Sequence, residues 1–134
     1  MTQSYDYAAS YNVTSPILTG YTADKLTVSG TMPAENVTVD VTYTINNYTL
    51  TINYKYADGS EAAETYSQSY DFAAAYSIVS PTINGYTADI LTVSGTMPAN
   101  DLTVDVTYSI NSYTLTINYK YTNGETAAEQ FVHL

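Results

Sequence analysis

From Val37 to Ile45 the chain reads VTVDVTYTI. Val37, Val39, Val41, Tyr43 and Ile45 fall on one side, and Thr38, Asp40, Thr42 and Thr44 on the other. This period of two predicts a strand with one buried face. From Tyr48 to Tyr56, YTLTINYKY alternates in the same way, with Tyr48, Leu50, Ile52, Tyr54 and Tyr56 opposite Thr49, Thr51, Asn53 and Lys55. Asp58-Gly59 then supplies a favoured hairpin turn, and EAAETYS returns as a weaker strand. The stretch SYDFAAAYSI, Ser69 to Ile78, predicts a short helix, with Ser69 as N-cap and three alanines inside. Pro81 blocks its continuation. An irregular arm through Gly85 and Tyr86 leads to a strand at ILTVSGT, a turn at MPAND and a long strand ending at Ile110.

The same order of elements occurs nearly twice. Tyr5 matches Tyr70, Gly20 matches Gly85, Pro33 matches Pro98, Tyr48 matches Tyr113 and Gly59 matches Gly124, each at an offset of 65. GYTADKLTVSGTMPAENVTVDVTYTI aligns with GYTADILTVSGTMPANDLTVDVTYSI without a gap. The pattern predicts an α+β unit: hairpin, short helix laid on one sheet face, then further strands. In this frame residues 1–46 are a partial repeat lacking its first hairpin. Residues 47–111 are a complete repeat, and residues 112–134 are the opening hairpin of a third. A permuted frame, with complete units at 5–69 and 70–134, fits the repetition equally. The joint Ile45-Asn46-Asn47-Tyr48, mirrored by Ile110-Asn111-Ser112-Tyr113, is short enough to leave little hinge freedom. An array is therefore expected to form an elongated, semi-stiff rod.

Charge narrows the classes of partner. The chain has 134 residues, 13 acids against 3 lysines and no arginine, and a formal charge of −10. Clustered cations for phosphate are missing, which excludes nucleic acid and anionic membrane surfaces. No apolar run approaches the roughly 20 residues of a membrane helix, so no membrane insertion is expected. Cysteine is absent, so the fold has no disulfide. Tyrosine is abundant, at 16 residues, and favours strands.

YTLTINYKYADGSEAAET, GYTAD and LTVSGTMPANDLTVDVTY together resemble the mucin-binding-protein (MucBP) repeats of Gram-positive surface adhesins. They are also similar to internalin B-type repeats, to which the TMPAND turn leans, although the Gly-Trp pair of those repeats is missing. The resemblance covers essentially the whole chain. It implies tandem β-grasp, ubiquitin-like modules strung along an extracellular, wall-attached protein, with a stalk or adhesive role. It also implies a host glycan or glycoprotein as a ligand class.

Candidate chemistry is sparse. His133, the single histidine, stands one residue from the end without partners for a general base or a metal ligand. The recurring acids Asp6/Asp71, Asp24/Asp89, Asp40/Asp105 and Glu64/Glu129, with Glu61, suit solvated strand faces better than a hydrolase pair, and Asp58 suits a turn. They show no calcium-loop spacing. Lys55 and Lys120 alternate with threonines on the polar side, a poor setting for a lysine–asparagine crosslink. Asn12, Asn36 and Asn47 open Asn-x-Thr triplets that the second copy lacks. No catalytic residue, metal ligand or cofactor is assigned. Tyr43, Tyr54, Tyr56, Tyr108, Tyr119 and Tyr121 share faces with Val, Leu and Ile and are expected in the core. Tyr5, Tyr21, Tyr70 and Tyr86 fall off the regular strands and are the candidate contact residues.

The sequence thus predicts a non-enzymatic stalk or adhesin segment from a bacterial surface protein. An open strand edge at one end and an uncovered hairpin at the other would let chains associate head to tail into a fibre, or pair with neighbouring repeats. The alternative is a carbohydrate- or host-glycoprotein-binding module with a tyrosine-lined groove in each unit.

Overall fold

The structure, a computed structural model, describes residues 1–133. It contains twelve strands, and among the described residues no helix. The centre is a mixed four-stranded sheet ordered β6-β5-β10-β8. Its members are β5 (Asn47–Tyr56), β6 (Glu61–Asp71), β8 (Tyr86–Ala88) and β10 (Leu102–Ile110). The alternation read from YTLTINYKY is realised in β5. Leu50, Ile52 and Tyr54 are buried, and they meet buried Val106 and Tyr108 of β10. β5 and β10 run parallel, with Leu50 opposite Leu102, Ile52 opposite Val104 and Tyr54 opposite Val106. Parallel neighbours require a long crossover, and here residues 57–101 supply it.

The crossover overturns the predicted α+β class. The expected helix Ser69–Ile78 is instead the end of β6, a tight turn, and strand β7 (Ala75–Val79). Ala73 sits in the left-handed region at φ 64°, a conformation that costs a non-glycine residue about 1–2 kcal/mol. Hydrogen bonds on both sides hold the turn. The Ala73 N–H donates to Met97 O (2.9 Å), and the Met97 N–H donates to Ala74 O (2.8 Å). β7 pairs with β9 (Thr92–Thr96), placing Ile78 opposite Val93. This ribbon carries Val93 into the core beside Met97, with Tyr76 and Ile78 packed against it. Two strands therefore cover the apolar sheet face that a helix was expected to cover. Alanine's helix propensity is worth only tenths of a kcal/mol per residue, and pairing overrides it.

The first copy repeats part of this plan. β1 (Ser10–Thr14) pairs with β3 (Thr27–Thr31), matching β7-β9, and Ala8 repeats the left-handed turn at φ 66°. β2 (Tyr21–Ala23) pairs with β4 (Tyr43–Ile45), matching β8-β10. The strand predicted over Val37–Ile45 shrinks to its last three residues. Residues 102–107 of the second copy are strand because β5 lies alongside them. Residues 37–42 lack that neighbour, so their backbone forms no ladder. At the other end β11 (Leu115–Lys120) pairs only with β12 (Thr126–His133), and every residue of both is exposed.

Candidate functional site

The four candidate tyrosines fall two to each repeat, Tyr5 and Tyr21 in the first and Tyr70 and Tyr86 in the second. Tyr70 lies within β6 and Tyr86 within β8, and both are half-buried against the core, although the pattern put them off the strands. The Tyr70 hydroxyl is 2.6 Å from that of Tyr66, and its ring is 6.0 Å from Tyr76. The hydrogen bond to Tyr70 pushes the Tyr66 phenol up to about 12. Tyr86 packs on Tyr56 with ring centres 4.8 Å apart. Tyr5 rests on Tyr11 at 5.9 Å, and Tyr21, also on a strand, meets Phe72 edge to face at 6.2 Å. Among the described residues no aromatic pair joins any two of the four.

The carboxylates serve the backbone. Asp24 accepts the Thr42 N–H at 2.9 Å and the Lys25 ammonium at 3.3 Å. The Thr42 bond above all holds its carboxyl below the ordinary range. Asp89 accepts the Thr107 N–H in the same way, at 2.8 Å. Asp101 accepts the Thr49 N–H (2.9 Å), tying the start of β10 to β5. Asp105 accepts the Asn53 amide at 3.1 Å. Asp58 accepts the Ser60 N–H and hydroxyl, which lower its pKa and close the hairpin turn. Lys55 stands opposite Glu61, and His133 stacks on Phe131. Among the described residues no three metal-ligating side chains cluster. Two shallow, polar-lined hollows of about 160 and 190 Å³ repeat at the same place on the two hairpins, beside Asn53 and Asn118. Both fall short of the roughly 300 Å³ at which small-molecule pockets begin.

Apolar side chains that are buried or half-buried in the centre have exposed equivalents at the two ends. Leu50, Ile52 and Tyr54 are 0%, 0% and 3% exposed, whereas their repeat equivalents Leu115, Ile117 and Tyr119 are 56%, 37% and 43% exposed. Tyr113 and Tyr121 continue that exposed row. The expectation that Tyr119 and Tyr121 lie in the core is therefore overturned, because no sheet covers β11. At the opposite end Val37 and Val39 are 42% and 43% exposed, where Leu102 and Val104 are half-buried beside β5. Residue types alone did not single out Phe72, which packs between the two copies. Its one signal was an aromatic, Tyr7, at the same repeat position.

The sequence profile of the MucBP domain matches twice, over residues 1–44 and 49–109. The chain belongs to the MucBP domain family. Among solved structures it is similar to a MucBP domain of a Lactobacillus acidophilus protein, at 25% identity. That match covers 49% of this chain and 92% of the other, with a TM-score of 0.42. The MucBP domain of an adhesion protein from Pediococcus pentosaceus is 22% identical over 50% of this chain and all of the other, with a TM-score of 0.43. The type 2 repeat of the mucus binding protein MUB from Lactobacillus reuteri is 26% identical, covering 48% of this chain and 49% of that one, with a TM-score of 0.43. No curated protein matches the chain. The first match includes Val37 and Val39. The exposed hairpin of residues 115–133 lies beyond the second match.

Proposed function

We propose that this MucBP chain is a non-enzymatic stalk or adhesin segment of an extracellular, cell-surface protein, and that separate copies join head to tail by strand complementation. Its units are residues 1–46, 47–111 and 112–134, the first a body without a hairpin and the last a hairpin without a body. Family membership supports the surface role, since MucBP domains are modules of surface adhesins. The observation that carries the assembly reading is that Leu50, Ile52 and Tyr54 are buried within residues 47–111 whereas their equivalents Leu115, Ile117 and Tyr119 are exposed, as are Val37 and Val39, the equivalents of half-buried Leu102 and Val104.

The internal β5-β10 pairing supplies the register of the join. Shifting it by one repeat sets Leu115 of one copy opposite Val37 of the next, Ile117 opposite Val39, Tyr119 opposite Val41 and Tyr121 opposite Tyr43. Residues 37–42 then gain the ladder they lack, and the apolar row on β11 gains a cover. The same surface with the same register repeats at every join, so the contact is heterologous and extends into a fibre. An isolated two-stranded hairpin is marginal in water, which gives β11-β12 reason to dock. Like charges of −10 per copy oppose the join, and salt screens them.

Deleting residues 112–134 tests this reading. Sedimentation velocity over a concentration series is expected to show the intact chain growing in mass and the deletion staying monomeric. Equal behaviour of the two defeats the assembly reading. Because the Lactobacillus reuteri relative is named for mucus binding, immobilised mucin is the host glycoprotein to assay first. Saturable binding by both forms would favour an adhesive role for the units themselves.

A further inference from the structure

The joint between copies has a second component besides the strands. Asn46 alone links β4 to β5, and it is bonded to both sides. Its N–H donates to Gly20 O (2.8 Å), and its carbonyl accepts the Phe72 N–H (2.9 Å). Its side-chain oxygen accepts the Thr22 hydroxyl at 2.6 Å, while its amide donates to the Tyr48 hydroxyl at 3.3 Å. The Phe72 ring lies directly on Gly20, where a Cβ would come within 2.2 to 2.7 Å of three ring carbons. The ring also meets Tyr21 edge to face. Glycine is thus required twice over at position 20, for space and for its φ of +82°.

The second joint is built from the same parts. The Asn111 N–H donates to Gly85 O (2.8 Å), its side-chain oxygen accepts the Thr87 hydroxyl (2.6 Å), and its amide donates to the Tyr113 hydroxyl (3.1 Å). Gly85 has φ +85°, but nothing lies within 4 Å of where its Cβ would be. Among the described residues no ring fills on Gly85 the space that the Phe72 ring fills on Gly20. Tyr7 stands at the repeat position of Phe72 and precedes left-handed Ala8, just as Phe72 precedes left-handed Ala73. Its ring is exposed.

We propose that the shelf formed by Gly85 and Tyr86 is a docking site for the Tyr7 ring of a second copy of this chain, with the Tyr7 N–H donating to Asn111 O. This rests on the head-to-tail reading, which fixes Tyr7 of the next copy one repeat beyond Phe72. The lock sets the angle and stiffness of each join, and the strands supply most of its area.

Sedimentation velocity of the full chain against concentration, with Tyr7→Ser and Tyr7→Phe, tests the lock. Tyr7→Ser is expected to weaken association by about tenfold, the scale of one aromatic contact with its buried area. Tyr7→Phe, which restores the residue type of Phe72, is expected to match the wild type. Unfolding midpoints of both monomers should be unchanged, since Tyr7 is exposed. A wild type that assembles while Tyr7→Ser assembles equally well overturns the lock alone. A wild type that stays monomeric at every concentration overturns both this inference and the reading beneath it.

Discussion

Leu50 and Leu115 are the same residue of the repeat in two surroundings, so replacing each with alanine separates folding from association. Leu50 is fully buried between β5, β10 and the β7-β9 ribbon. Leu50→Ala removes its transfer free energy and leaves a cavity, a loss of about 2–5 kcal/mol. A small domain has only about 0.05–0.15 kcal/mol of stability per residue, so this is a large share of what holds the central sheet. Leu115 is a little over half exposed, and its strand pairs only with β12. Leu115→Ala should therefore shift monomer stability by less than about 0.5 kcal/mol, as for an ordinary surface site. Its effect should appear on association instead. Burying a leucine side chain from water is worth about 1.5–3 kcal/mol, and Leu115 has about half of that left to gain. Loss of about 1 kcal/mol, with a small cavity term, weakens each join by about five- to tenfold. Urea unfolding of dilute monomer, followed by tyrosine fluorescence, measures the first quantity. Weight-average mass against concentration measures the second. If Leu115→Ala lowers monomer stability as much as Leu50→Ala, the hairpin is already covered within one chain. If it leaves the mass isotherm unchanged, β11 is not the joining surface.

Gly20→Ala and Gly85→Ala form a second matched pair: both bear a left-handed strain of about 1–2 kcal/mol, but only Gly20→Ala also drives a methyl into the Phe72 ring, adding about 1–3 kcal/mol. Calorimetric unfolding should rank Gly20→Ala below Gly85→Ala. In alkali, Tyr66 is raised to about 12 by its bond to Tyr70, and burial raises Tyr54 and Tyr108. The folded state then holds these protons more tightly than the unfolded state does, so their contribution is complete below pH 10 and is lost as pH rises towards about 12. Circular dichroism across that range should show unfolding, and Tyr66→Phe should blunt the slope. Association of the intact chain should strengthen between about 0.01 and 0.5 M sodium chloride as the −10 charges are screened. Weakening with salt would point to an ion-paired join instead.

How much of this was legible in the sequence depended on whether the deciding neighbour was local. β5 could be read residue by residue, because nine positions alternate and Asp58-Gly59 closes the turn. Leu50, Ile52 and Tyr54 followed on its apolar face, and all three are buried. The stretch from Ser69 to Ile78 could not, since its alanines mask a period of two that only Tyr76 and Ile78 express. Its strand is decided by Thr92–Thr96, which lies many residues further on. Tyr70 and Tyr86 were placed off the strands for a related reason. Short strands such as Tyr86–Ala88 carry no periodic signature, so Tyr86 read as loop although it packs on Tyr56. Phe72 carried one weak signal, Tyr7 at the same repeat position, because Gly20, on which its ring lies, has no side chain to advertise a contact.

The sharpest comparison is between Val37–Thr42 and Leu102–Thr107. The two stretches share one alternating pattern, VTVDVT against LTVDVT, yet one is a half-buried strand and the other is exposed and unpaired. Propensity and periodicity are equal in both, so they cannot be what makes the difference. The difference is β5, which accepts and donates the ladder bonds of residues 102–107 and lays Leu50 and Ile52 beside them. Strand formation here is thus a property of a pair of segments, and residues 37–42 lack theirs. The exposed row on β11 has the composition and spacing of β5. In a tandem repeat, burial that differs between equivalent positions therefore marks where one unit expects the next, more directly than any motif within a single unit.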